Sequence, residues 1–119
     1  MKPKLTSAER KAKADWAERV FRAVLRHEEL PQPEAEYRFW PGRKFQFDYA
    51  WPERLLALEV EGGVYTGGAH GSVTGILRDV GKYSEAAARG WRILRVLPKT
   101  LATKTTATLI RRALEVTDV

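Results

Sequence analysis

Apolar residues along this chain change their period several times, and each change marks an element. From about residue 7 to 30, Trp16, Ala17, Val20, Phe21, Val24 and Leu25 recur at three-and-four spacing, which predicts a helix with one apolar stripe. Ser7 is placed to cap its start, and Pro31 and Pro33 prevent its continuation. A connection with a short strand near 36–40 follows, and Pro41-Gly42-Arg43-Lys44 forms a basic turn.

The period then falls to two. Over 45–51, alternation places Phe45, Phe47 and Tyr49 on one face and Gln46 and Asp48 on the other. Residues 51–54 turn the chain back. In the next strand Leu56, Leu58 and Val60 share a face, leaving Ala57, Glu59 and Glu61 opposite. An antiparallel hairpin built this way brings Asp48, Glu59 and Glu61 together on the side away from the aliphatic face.

Residues 62–75 are rich in glycine but carry no phosphate-loop or dinucleotide spacing, so a loop or flap beside the carboxylates is expected. A helix follows over 76–89, with Ile76, Leu77, Val80, Tyr83 and Ala87 inward and Gly90 ending it. A strand over 91–97 comes next, and a last helix over about 101–116 with Thr100 as cap and Leu109, Ile110, Ala113 and Leu114 inward. A helix between two strands implies a crossover to a parallel neighbour. The expected fold is α/β: one domain over 1–119, a small mixed sheet flanked by helices in the order α-β-β-β-α-β, with an extra C-terminal helix.

Composition narrows the partners. A formal net charge of +6 and a pI near 9.8 favour an anionic polymer. The basic start lacks the apolar segment of a signal peptide, and no apolar run reaches the length of a membrane span, so an intracellular, cytoplasmic protein is expected. The chain has no cysteine, which excludes thiolate zinc sites. Arg10, Lys11 and Lys13 on the first helix, and Arg43 and Lys44 in the basic turn, are candidate DNA-backbone contacts; a solvated surface is the plainer reading for most of them.

A carboxylate cluster in a basic chain needs cations. Hard divalent ions such as Mg2+ take one or two carboxylates plus water and substrate phosphate, and neighbouring strands hold two such ligands rigidly. An ion bound by Asp48 and Glu59 fits hydrolysis of phosphodiesters. Phe47-Asp48-Tyr49-Ala50-Trp51-Pro52, then Leu58-Glu59-Val60-Glu61-Gly62-Gly63, then Arg78-Asp79 and Gly90-Trp91-Arg92-Ile93-Leu94-Arg95-Val96 resemble the PD-(D/E)xK nuclease superfamily. Within it, the chain looks like small phage and bacterial endonucleases related to the very-short-patch repair and archaeal-type Holliday junction resolvase groups.

The resemblance implies a restriction-endonuclease-like core and a homodimeric DNA endonuclease dependent on Mg2+, with Mn2+ able to substitute and no nucleotide cofactor. It implies Asp48 and Glu59 as metal ligands, the Val60 carbonyl completing the site, and Glu18 beside the metal; Glu18 is also spaced to pair with Arg22. Glu61 stands where the superfamily usually has lysine. Either Glu61 holds a second metal or accepts a proton, or a lysine comes from elsewhere, Lys82 first and Lys44 second; Lys82 is also spaced to pair with Asp79 or Glu85. His70, in the glycine-rich segment, is a candidate general base or DNA contact, and Tyr65 can stack on an unpaired base. A structure-selective Holliday junction resolvase is the expected activity. A nicking or mismatch-repair-like endonuclease and a non-catalytic DNA-binding module are the rivals.

Overall fold

A computed structural model describes residues 3–62 and 73–116. Helix α1 (Ser7–His27) begins at a capping box: the Thr6 hydroxyl accepts from the Glu9 amide, and the Glu9 carboxylate accepts from the Thr6 amide. The cap is thus Thr6, one residue before the expected Ser7. The helix ends at His27 because Glu29 takes a left-handed backbone, φ 57°, and the Leu30 amide bonds back to the Leu25 carbonyl at 2.9 Å. Residues 7–16 are exposed throughout, so Trp16 lies outside the core although its spacing assigned it to the buried stripe.

Four strands follow, β1 (Glu34–Arg38), β2 (Gln46–Trp51), β3 (Leu56–Val60) and β4 (Arg92–Val96), in the sheet order β1-β2-β3-β4. The β1/β2 and β2/β3 pairs are antiparallel and β3/β4 is parallel. Helix α2 (Val73–Ala88) makes the crossover between β3 and β4. Gly90 ends it at φ 89°, where a Cβ would also meet Leu55 Cδ1 at 3.4 Å. Helix α3 (Lys104–Glu115) starts later than expected, behind a tight turn at Pro98–Thr100. Its threonines build the entry: Thr103 accepts from the Thr106 amide, and the buried Thr106 hydroxyl donates to the Thr100 carbonyl at 2.6 Å.

The sheet separates two cores. Phe21, Leu25, Tyr49, Trp51, Leu56, Leu58, Leu101 and Ile110 pack between one sheet face and α1 with α3. Phe39, Phe47, Ala50, Ala57 and Ala86 pack on the other face under α2, with Trp91 and Ile93 at its edge. Phe47 and Tyr49 are therefore on opposite faces, against the alternation expected for 45–51. The cause lies in the β1/β2 ladder, which pairs Ala35 with Tyr49 and Tyr37 with Phe47 but skips Glu36 and Asp48. Glu36 has φ 51°, a conformation unfavourable for a residue with a Cβ, and both strands turn over at that level. Asp48 is released from the ladder at the point where β2 and β3 part.

Helix α2 departs from expectation more sharply. Gly75 and Ala86 are buried, and Asp79, Lys82 and Tyr83 are partly buried, while Ile76, Leu77, Val80 and Ala87 are exposed. The helix turns its polar stripe toward the sheet and its aliphatic stripe to solvent. Two of the expected inward residues, Leu109 and Ile110 of α3, do face the protein, with Ile110 fully buried. No helix among the described residues is long and apolar enough to cross a membrane.

Candidate functional site

The site forms where the β2/β3 ladder ends. Regular pairing stops at Tyr49 and Leu58, and the next two positions exchange side-chain bonds for backbone ones. The Asp48 amide donates to Glu59 Oε2 at 3.1 Å, and the Val60 amide donates to Asp48 Oδ2 at 2.7 Å. Each carboxylate thus satisfies an amide of the opposite strand, and the two acids are held side by side by main chain.

Glu59 is 5% exposed, so its charge requires partners. Helix α2 supplies them. Lys82 Nζ donates to Glu59 Oε1 at 2.5 Å, and the Tyr83 hydroxyl donates to the same oxygen at 3.1 Å. The alternative partners for Lys82 on its own helix are not used: it bonds across to Glu59, and Glu85 pairs with Arg89 at 3.2 Å. Burial, then the charges of Glu59 and Glu61, raises the Tyr83 phenol above its ordinary range, which keeps it protonated and donating. Lys82 Nζ also lies 5.7 Å from the centre of the Phe47 ring, an apolar wall that strengthens the ion pair by excluding water.

Asp48 opens on the other side into a cleft of about 560 Å3 between α1 and the sheet, lined by Asp15, Glu18, Glu36, Asp48, Tyr49 and Val60 among others. Among the described residues no lysine or arginine lines it, in a chain of net charge +6. Glu18 pairs with Arg22 at 3.5 Å, as its spacing allowed, and lines the same cleft as Tyr49 and Asp48. Burial, then the Glu18 charge, pushes the Tyr49 phenol up to about 12.

Glu61 behaves differently from the expected third acid. It turns toward Arg95, 3.4 Å from Nε to Oε1, and that oxygen is buried without a hydrogen bond. The Arg95 guanidinium in turn stacks on the Tyr83 ring, 4.0 Å from its centre. Two carboxylates meet instead of three. Among the described residues no three acidic, histidine or cysteine side chains converge as a metal cage.

The candidate DNA contacts are dispersed. Arg10 bonds the Leu5 carbonyl at 2.9 Å and Ser7 Oγ at 3.2 Å, and Lys11 pairs with Asp15 at 2.9 Å, so both are used by the start of α1. Lys13 and Lys44 are exposed. Arg43 stacks over Trp40 and Phe45, 5.4 and 5.2 Å from their ring centres. Tyr65 and His70 lie outside the described residues. Trp51 is a core residue, its indole donating to the Pro31 carbonyl at 2.8 Å. Tyr83 and Arg95 were assigned to helix core and strand by their spacing; the one sequence signal for their role is the polar stripe Asp79, Lys82, Tyr83 at helical spacing.

A pH effect follows from the paired acids. Burial first, then the neighbouring Glu59 charge, raises Asp48 from 3.8 to about 6, against the lowering effects of the Val60 amide and Lys82. The folded protein binds this proton more tightly than the unfolded chain. Asp48 therefore contributes stability that is complete below its unfolded pKa and is lost as pH rises through about 6. In EDTA, the stability of wild type minus that of Asp48→Asn is expected to fall by about 1 kcal/mol between pH 4 and 7, a figure reduced for the solvent exposure of the site. Urea unfolding across that range reads it, and a flat difference would sink the assignment.

No family model, curated protein or solved structure matches this chain in comparison with known proteins.

Proposed function

We propose that this chain is a Mg2+-dependent DNA endonuclease with a restriction-endonuclease-like core, acting as a homodimer on branched DNA such as a four-way junction. The observation that carries the reading is the Lys82–Glu59–Asp48 constellation: two carboxylates from adjacent strands and a lysine delivered by the crossover helix. It supplies, from α2, the cation that position 61 lacks. The oxygen donors suit magnesium better than zinc: Asp48 and Val60 line the cleft, Glu59 lies behind Asp48 with both its oxygens accepting, and the remaining positions are left to water and phosphate. The acidic cleft without a basic residue in its wall, and an Asp48 whose charge is disfavoured until a cation arrives, agree with that fit.

Magnesium bound there supplies Lewis acidity, neutralising phosphate charge and lowering the pKa of water. The chain's own groups do the rest. Val60 N–H fixes Asp48, and Asp48 N–H with Tyr83 fixes Glu59, so neither acid reorganises during the reaction. Lys82 places a fixed positive charge beside the acids, where negative charge develops on the scissile phosphate. Glu18, held by Arg22, lines the same cleft and is placed as the acceptor for a proton from water.

Cleavage of a synthetic four-way junction, a nicked duplex, a mismatched duplex and a linear duplex in Mg2+ tests the reading. Junction cleavage is expected in Mg2+ or Mn2+ and not in EDTA, with Asp48→Ala at least ~10^3-fold slower. Equal cutting of linear duplex removes the junction claim. Tight DNA binding with no cleavage under any metal replaces the enzyme with a binding module.

A further inference from the structure

Helix α2 carries its amphipathic character in reverse. Its inner stripe holds Gly75, Asp79, Lys82 and Tyr83, of which Lys82 and Tyr83 bond Glu59, and its outer stripe is aliphatic: Val73 is 74% exposed, Ile76 51%, Leu77 66% and Val80 58%. Those four side chains leave on the order of 400 Å2 of apolar surface in water, the size of patch that marks an interaction surface and about half of what one partner brings to a standard interface.

We propose that the outer face of α2 is the interface through which two copies of this chain associate about a two-fold axis. Three features select a second copy over other occupants. The face is a ridge between two grooves: one of about 560 Å3 floored by Trp40, Phe45, Gly81, Ser84 and Ala88, the other of about 510 Å3 beside Val80, Tyr83 and Ala87. A ridge with grooves alongside is complementary to a second copy turned about a two-fold axis, as an isologous contact requires. Charges of both signs border it, Arg43, Arg78 and Arg89 beside Asp79 and Glu85, so a copy turned about that axis can set acids against arginines.

Gly81 is the third feature. It lies exposed in the middle of α2, where glycine disfavours a helix, and a Cβ built on it meets nothing within 4 Å. The monomer has no steric use for that glycine. A second helix crossing there does, because the missing side chain lets the backbones approach closely.

The full chain is measured by light scattering after size exclusion from 1 to 100 µM, a range set to bracket a micromolar dissociation constant. Wild type is expected to be dimeric at the upper concentrations. Leu77→Glu and Val80→Glu are each expected to weaken the dimer at least ~100-fold, with circular dichroism and melting temperature as monitors of folding. Gly81→Leu separates interface from fold: it introduces no clash within the protomer and favours the helix, yet blocks close approach. Loss of the dimer with an unchanged or higher melting temperature in the monomer supports the proposal. A wild type that is monomeric at 100 µM overturns it, as does a Gly81→Leu protein that stays fully dimeric. This interface rests on the homodimer of the proposed function, and light scattering needs neither DNA nor metal, so loss of the dimer and loss of cleavage are read separately.

Discussion

Lys82→Met is expected to lower the proposed Mg2+-dependent cleavage by about 10^3-fold, because it removes the lysine ion-paired with Glu59. The same substitution strips a buried carboxylate of its counter-charge. Such a loss ordinarily costs ~3–5 kcal/mol. Here Tyr83 and the Asp48 amide still donate to Glu59, and the carboxyl can take up a proton, so about 2 kcal/mol is expected at pH 7. A double-mutant cycle separates the two roles. Lys82→Met with Glu59→Gln removes both charges together, so stability is expected to return to within ~1 kcal/mol of wild type while cleavage stays lost. Urea unfolding and the junction assay read the two outcomes. Full activity in Lys82→Met would end the assignment of this lysine.

Phe47→Ala is expected to destabilise the protein by about 4 kcal/mol and to lower its melting temperature by roughly 15 °C. Phe47 is fully buried on β2, stacked on Phe39 with centres 4.2 Å apart and tilted against Trp91 at 5.0 Å. Its removal empties the centre of the smaller core, whose remaining buried members are Phe39 and three alanines. Neither Phe39 nor Trp91 can collapse into the space without leaving the other. Phe47→Leu keeps most of the volume, and about 1 kcal/mol is expected. Because the ring also walls Lys82, the alanine variant is expected to lose activity even at temperatures where it stays folded. Calorimetry with a parallel cleavage assay at 20 °C checks both statements. A loss below ~1 kcal/mol for Phe47→Ala would mean that this cluster is not the core of its face.

The order of elements was legible because each is coded by a local period. Three-and-four spacing for α1 and α3, period two for β2 and β3, and prolines and Gly90 at the ends depend on neighbours within a few residues. The hairpin followed from a short turn, and the parallel β3/β4 pair from the helix between them. The same locality explains the failures. Alternation assigned Phe47 and Tyr49 to one face, and only the break in the β1/β2 ladder at Glu36 and Asp48 reveals the turnover that separates them. Apolar spacing chose the aliphatic stripe of α2 as its buried side, since periodicity finds a stripe but does not say what the opposite face has to neutralise.

By itself, the sequence determined an α/β chain with a mixed sheet, placed Asp48 and Glu59 on neighbouring strands, and marked Lys82 as a lysine with an uncertain partner. Those are consequences of short-range pattern and turn chemistry. Tertiary structure alone decided that Lys82 and Tyr83 bond Glu59, that Glu61 turns away to Arg95, and that α2 faces inward with its polar side. The physical reason is the cost of burying charge. Glu59, buried on an interior strand, must find its cation across a distance of 23 residues in sequence, and that demand outweighs the burial of four aliphatic side chains on the helix that delivers it.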